Sequence, residues 1–309
     1  MSPVMTASTA SGELRATYTA VPLVGLVADQ GLPFPLYLHT SARSWVLYQP
    51  EGTVLDESHI GRLRAEGVTS LYIEDEHREA YARRVESELP AIMLDRAATL
   101  ERRGPVERRA EVLHGVAALV AEELLHARPD EAVVARAQKV MMTTSGLLLR
   151  DPRAFAAVRR VLRAGDGLAR HSLTVAFLSM GLAQAVLAAD GAKMAEIGLA
   201  ALLHDVGELV DAGEEHAERG AEHLRAMGLS AQVCEVVRLH HAAPGEQRAA
   251  APEEVADAAA LVGLVDLFEE VYSAQEPRVG VYDALRVLAQ AHGGRFDESM
   301  AAALVRLFR

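Results

Sequence analysis

Apolar positions follow two different periods along the chain. In the first hundred residues, "FPLYLHT", "SWVLYQPEG" and "TSLYIED" are short aromatic or β-branched runs bounded by Pro, Gly and Ser, which predicts strands. Between the last two lies "LDESHIGRLRAEG", a short helix that Asp56 or Ser58 can cap and Gly67 can close. "EDEHREAYARRVESELPAIML" places Tyr81, Val85 and Leu89 on one face, at helical spacing. From about residue 96 the period is helical almost throughout, as in "RRAEVLHGVAALVAEELLHA". Gly and Pro interrupt it at Gly104-Pro105, Pro129, Pro152, Gly165, Gly167, Gly191 and Gly228.

The fold class expected is α+β: a small N-terminal α+β module followed by an all-α helical bundle domain. The boundaries expected are residues 1–95 for the module, 96–150 for a helical linker or bundle start, and 151–309 for the helical domain. The alanine-rich helices over 108–127 and 131–149 suit close packing within a bundle or across a homodimer. Tyr37, Trp45 and Tyr48 are expected to pack the core of the module rather than to form a binding face. The run "VAFLSMGLAQAVLAA", residues 175–189, is short for a membrane span and ends at Asp190, so it reads as a buried helix with no membrane insertion.

Composition narrows the function. Half of the residues are apolar and 24% are charged, which is a globular balance. A formal charge of -12 argues against a nucleic-acid polymer as partner, and "RRGPVERR" at 102–109 reads as a linker or helix start. Cys234 is the single cysteine and cannot form an internal disulfide; with an N-terminus unlike a signal peptide, this suits the cytoplasm.

Candidate chemistry gathers in the helical region. His171 stands in "ARHSLTVAF", His204 and Asp205 in "ALLHDVGELV", His216 in "EEHAERG", His240 and His241 in "RLHHAAPG", and Asp266 in "LVGLVDLFEE". Imidazole with carboxylate suits Zn, Fe or Mn, and five His with two Asp exceed one tetrahedral site. Two metals bridged by an aspartate could activate water and clamp a phosphate. Each residue alone also fits a structural role, such as a core histidine or a dipole-capping pair at a helix end. His39, His59 and His77 are scattered and read as structural.

The order of these residues over roughly 150–308 resembles the HD-GYP branch of the HD phosphohydrolase superfamily, including "HAERGAEHL" and the segment from "DLFEEVYSAQEPRVG" onward. The resemblance implies a two-metal ligand set of His171, His204, Asp205, His216, His240, His241 and Asp266, with Asp205 bridging. It implies iron or manganese, with zinc as a further option. It also implies hydrolysis of cyclic di-GMP or a related small anionic phosphoester by a hydroxide activated between the metals.

The chain departs from that pattern at the substrate-handling positions. Glu208 replaces the lysine after "HD-x-G", and it is read here as a catalytic candidate with Asp205. "AAPGEQRAA" replaces the Glu and Asp-Gly-x-Gly-Tyr-Pro signature, Gly167 stands where a third-metal glutamate occurs, and in "QEPR" only Arg278 is left to contact phosphate. The expectation is a divergent metal-dependent phosphodiesterase. The alternatives are a weakly active or inactive metal-containing protein that binds cyclic dinucleotides in signalling, and a metal-free helical scaffold. The N-terminal module would be regulatory.

Overall fold

The computed structural model describes residues 17–23, 26, 31–41, 44–68, 70–94, 105–126, 130–161, 167–209, 213, 215–273, 280–292 and 296–308. The chain divides into two compact units, Met1–Val116 and Ala117–Arg309. The fold is α+β, with a small antiparallel sheet in the first unit and helices throughout the second.

In the first unit, β1 (Tyr18–Pro22), β2 (Leu36–Ser41), β3 (Ser44–Gln49) and β4 (Ser70–Glu74) form one sheet in the order β1-β4-β2-β3. The three runs read as strands are β2, β3 and β4, whereas β1 had no such reading. β1 pairs with β4 along its whole length, from Tyr18 opposite Glu74 to Pro22 opposite Ser70. Alternation along β4 buries Leu71 and Ile73 on one face and leaves Ser70, Tyr72 and Glu74 half-exposed on the other. On that open face Trp45 stacks on Tyr18 with centroids 4.4 Å apart and meets the edge of Tyr72, while Tyr37 meets Tyr18. Tyr37 and Trp45 therefore pack on a half-exposed sheet face, not in the closed core.

Helix α1 (Glu57–Ala65) starts where Asp56 Oδ1 accepts the His59 amide at 2.8 Å. It ends with Gly67 at φ +80 and the Val68 amide donating to the Leu63 carbonyl, a Schellman closure. A short 3-10 turn leads into α2 (Arg78–Leu94), where Tyr81 is buried against Phe34; the Val85 and Leu89 side chains lie outside the described residues. Helix α3 (Pro105–His126) carries the boundary between the units.

The second unit is built on α4 (Glu131–Arg150), α5 (Ala154–Val161), α6 (Gly167–Val186), α7 (Gly191–Leu202), α8 (His216–Ala226), α9 (Ala231–Leu239), α10 (Pro244–Ala250), α11 (Glu253–Ser273), α12 (Val281–His292) and α13 (Glu298–Leu307). α6 is apolar all round and buried continuously from Ser172 to Ala183, because α7, α11 and α13 surround it. Among the described residues no helix is long and apolar enough to cross a membrane. Caps fix where the helices begin: Asp130, Asp190 and Ser230 accept the amides of Val133, Lys193 and Val233. The starts of α7 and α9 thereby determine where their C-terminal ends deliver His204 and His240.

Candidate metal centre

The seven residues with ligating side chains converge, although they come from five separate stretches of chain. His171 projects from the second turn of α6, His204 and Asp205 follow the end of α7, and His216 opens α8. His240 and His241 follow the end of α9, and Asp266 lies mid-way along α11 with only 3% exposure. Asp205 stands between two groups. Its Oδ2 faces His204 Nε2 at 3.1 Å and His171 Nε2 at 3.6 Å; its Oδ1 faces His216 Nε2 at 3.5 Å and His240 Nε2 at 3.8 Å. Asp266 Oδ1 lies 3.2 Å from His171 Nε2 and 3.3 Å from His204 Nε2. Donor atoms of Asp205, His216, His240 and His241, and of His171, His204 and Asp205, are each grouped closely enough to hold a metal ion.

Backbone ends orient three of the rings. His204 Nδ1 donates to the Ala201 carbonyl at 2.7 Å, His240 Nδ1 to Val237 at 2.6 Å, and His216 Nδ1 to Gly213 at 3.1 Å. Ala201 and Val237 lie in the last turns of α7 and α9, whose carbonyls have no amide partner within the helix. A carbonyl can only accept, so each bond fixes the proton on Nδ1 and turns Nε2 towards Asp205. His171 lies inside α6, where the carbonyls are engaged in the helix ladder, and its Nδ1 instead meets Glu269 Oε2 from α11.

Two close backbone approaches assemble these pieces. A Cβ on Gly207 would fall 1.8 Å from the His216 carbonyl oxygen, so only glycine lets the start of α8 rest on the His-Asp turn. A Cβ on Gly263 would fall 2.1 Å from the His240 carbonyl oxygen, which seats the end of α9 against α11.

A divalent cation fits this donor set. His240 is 1% exposed, and its Nε2 is buried with no hydrogen-bond partner. His171 and His204 bring Nε2 atoms to 3.2 Å of each other, and His216 and His241 to 3.1 Å. Lone pairs at such distances repel unless a proton or a metal lies among them.

Without metal, protons take that role. Burial opposes charge on His171, but Asp266 and Glu269 outweigh it and hold its pKa up to about 9. Burial likewise opposes charge on His204, and hydrogen bonds to Asp205 and Asp266, which accept, hold it well above the ordinary histidine value. Burial, reinforced by His204 and His241, depresses His240 to about 3. Burial works against the carboxylates too, yet their histidine partners hold Asp205 and Asp266 well below the usual range.

Glu208 is exposed on the 3-10 turn after Asp205, and its charge raises the pKa of His216 behind the stronger effects of Asp205 and against burial. It belongs to none of the groups placed to hold a metal among the described residues. Arg278 lies outside the described residues, and Gly167 is an exposed first residue of α6 at φ +83. The segment "AAPGEQRAA" forms the short helix α10, where Glu246 accepts the Ala243 amide and buried Gln247 donates to the Leu239 carbonyl at 3.0 Å. Sequence reasoning missed Glu269, which is 1% exposed and also accepts Arg170 Nη1 at 2.6 Å. The available signal was its spacing of three from Asp266, which puts both carboxylates on one face of α11.

Residues 168–271 match the HD domain family. The chain is similar in structure to Bd1817, a HDG"Y"P protein from Bdellovibrio bacteriovorus, with a TM-score of 0.66 and 18% sequence identity over 94% of this chain and 99% of that one. No curated protein matches the sequence. Residues 168–271 thus match the HD domain, carried here in a fold similar to that of the HDG"Y"P protein.

Proposed function

We propose that the chain is a divergent HD-GYP-like phosphodiesterase that holds two divalent metals, iron or manganese, and hydrolyses cyclic di-GMP or a related small phosphoester. The observation that carries this reading is the inward convergence of histidine Nε2 atoms on buried Asp266 and half-buried Asp205, with His240 Nε2 left unpartnered. Unpaired buried polar groups cost about 1–3 kcal/mol each, so a bound cation would stabilise the arrangement. His171, His204, Asp205 and Asp266 would hold one metal, and Asp205, His216, His240 and His241 the other. The metals would supply Lewis acidity towards a phosphate oxygen and a lowered pKa for bound water.

The chain's own groups do the rest. Nδ1 hydrogen bonds keep the rings from rotating, and Asp205 offers one carboxylate oxygen to each half. Residues 1–95 serve as a regulatory module, 96–150 lead into the bundle, and 151–309 form the metal-binding domain, which works in the cytoplasm and suits a homodimer.

A second reading has specific support: a metal-containing signalling protein that binds cyclic dinucleotides and hydrolyses them weakly or not at all. Glu208 puts negative charge beside His216, where attraction for phosphate would help, and α10 stands in place of a substrate loop. Elemental analysis of protein purified without chelator is expected to find about two metals per chain, lost in Asp205→Ala. Metal-loaded protein is then given cyclic dinucleotides, linear dinucleotides and simple phosphodiesters. Turnover supports the enzyme, saturable binding without turnover supports the sensor, and folded protein that takes up no metal sinks both.

A further inference from the structure

Four of the five site histidines have an orienting partner on Nδ1 that can be named, and one of those partners is of a different kind. His204, His216 and His240 each donate to a neutral carbonyl three residues earlier in their own segment. Of these four, His171 is the one that meets a carboxylate, Glu269, supplied by another helix. That carboxylate is buried and held from every side the structure shows. Arg170 Nη1 donates to its Oε1 at 2.6 Å, Ser273 Oγ donates to the same oxygen, and Arg170 Nη2 reaches Ser273 Oγ at 3.1 Å. Arg170 and His171 are adjacent on α6, and Glu269 and Ser273 are one turn apart on α11, so the network clamps the two helices where His171 projects.

We propose that Glu269 is the positioning residue for His171: it fixes the Nδ1 proton, aims Nε2 at Asp205 and Asp266, and strengthens one half of the metal centre only. A carboxylate on the far side of an imidazole makes the ring a more electron-rich ligand than a carbonyl does. Asp266 Oδ1 also stands beside His171 and His204, at 3.2 and 3.3 Å, and its oxygen groups with His240 of the other half as well. The metal held by His171 and His204 therefore sits in the more anionic environment and is retained longer. The metal held by His216, His240 and His241 is the exchangeable one. This inference rests on the metal-centre reading and adds an inequality between its halves.

The test titrates manganese into chelated full-length protein by calorimetry, comparing wild type, Glu269→Gln and Glu269→Asp, with circular dichroism melting as a fold control. Wild type is expected to bind in two resolved steps. Glu269→Gln is expected to weaken the tighter step by about 10- to 100-fold and leave the weaker step in place, with Glu269→Asp between. Equal loss in both steps, or no loss in a folded Glu269→Gln, overturns the proposal while leaving the metal centre intact. Wild type without manganese uptake overturns the metal-centre reading itself and this inference with it. A readout that needs no variant is the nitrogen and proton NMR of zinc-loaded wild type. The His171 Nδ1 proton is expected downfield of those of His204 and His240, as a proton shared with a carboxylate is; coincident shifts refute the role.

Discussion

Gly263→Ala adds one methyl where α11 passes the end of α9. That methyl would lie 2.1 Å from the His240 carbonyl oxygen and 3.2 Å from its carbon, whereas ordinary contact begins at 3.4 Å. The neighbour is backbone and cannot rotate away, so the helices must part by about 1.3 Å. Two effects of opposite sign compete. Replacing a mid-helix glycine by alanine gains roughly 0.5–1 kcal/mol. Forcing a methyl into a packed interior costs about 1–3 kcal/mol. With backbone as the obstacle the second wins, for a net loss of about 1–2 kcal/mol. For a unit of this size that lowers Tm by roughly 3–6 °C. His240 moves with the carbonyl, and a shift of about 1.3 Å far exceeds the roughly 0.2 Å that ligand distances tolerate. The weaker metal-binding step is therefore expected to disappear from the calorimetric titration. Gly146→Ala on α4 is the control, since its methyl would meet nothing within 4 Å. It keeps the helix-propensity gain and raises Tm by about 2 °C. A Gly263→Ala protein as stable as Gly146→Ala, with both binding steps unchanged, would show that the close approach of α9 and α11 does not seat His240.

Other outcomes follow from the same geometry. In metal-free protein His171 is held up to about 9, with His204 and His216 also raised, so metal must displace protons and its affinity should climb with pH up to about 9; proton release measured in buffers of different ionisation enthalpy checks this. The same raised pKa stabilises the metal-free fold fully below the ordinary histidine value of 6.5 and loses that contribution as pH rises through about 9, so chelated protein should melt at lower temperature at the alkaline end of that window. Glu208→Lys changes the charge beside His216 from negative to positive and should tighten inorganic phosphate on the metal-loaded protein in a salt-sensitive way; unchanged or weaker phosphate binding would rule out an electrostatic role at this position.

The helical period and the ligating residue types make much of this molecule legible in its sequence. A histidine or aspartate in an apolar run is conspicuous because burial needs compensation, and His171, His204, Asp205 and Asp266 were legible for that reason. Glu269 was not, since "DLFEEV" offers two adjacent glutamates, three and four residues after Asp266, and that spacing alone does not tell the buried one from exposed Glu270. Only the approach of α6 to α11 distinguishes them. β1 escaped because "YTAVP" has weak alternation and a terminal proline, and its pairing with β4 spans 56 residues from Tyr18 to Glu74. The orienting carbonyls of Ala201 and Val237 have no signature at all, because every residue has a carbonyl and only a helix end frees it.

Those freed carbonyls make helix length itself a functional parameter. Asp190 and Ser230 anchor where α7 and α9 begin, so the number of residues between cap and histidine sets the direction in which each imidazole leaves the helix. One residue more or less turns the helix end by about 100° and slides it about 1.5 Å, which would carry the ring and its carbonyl off target together. A residue swap on the outer faces does neither. A one-residue insertion or deletion in either helix is therefore expected to cost metal binding, where a substitution on an outer face leaves it in place.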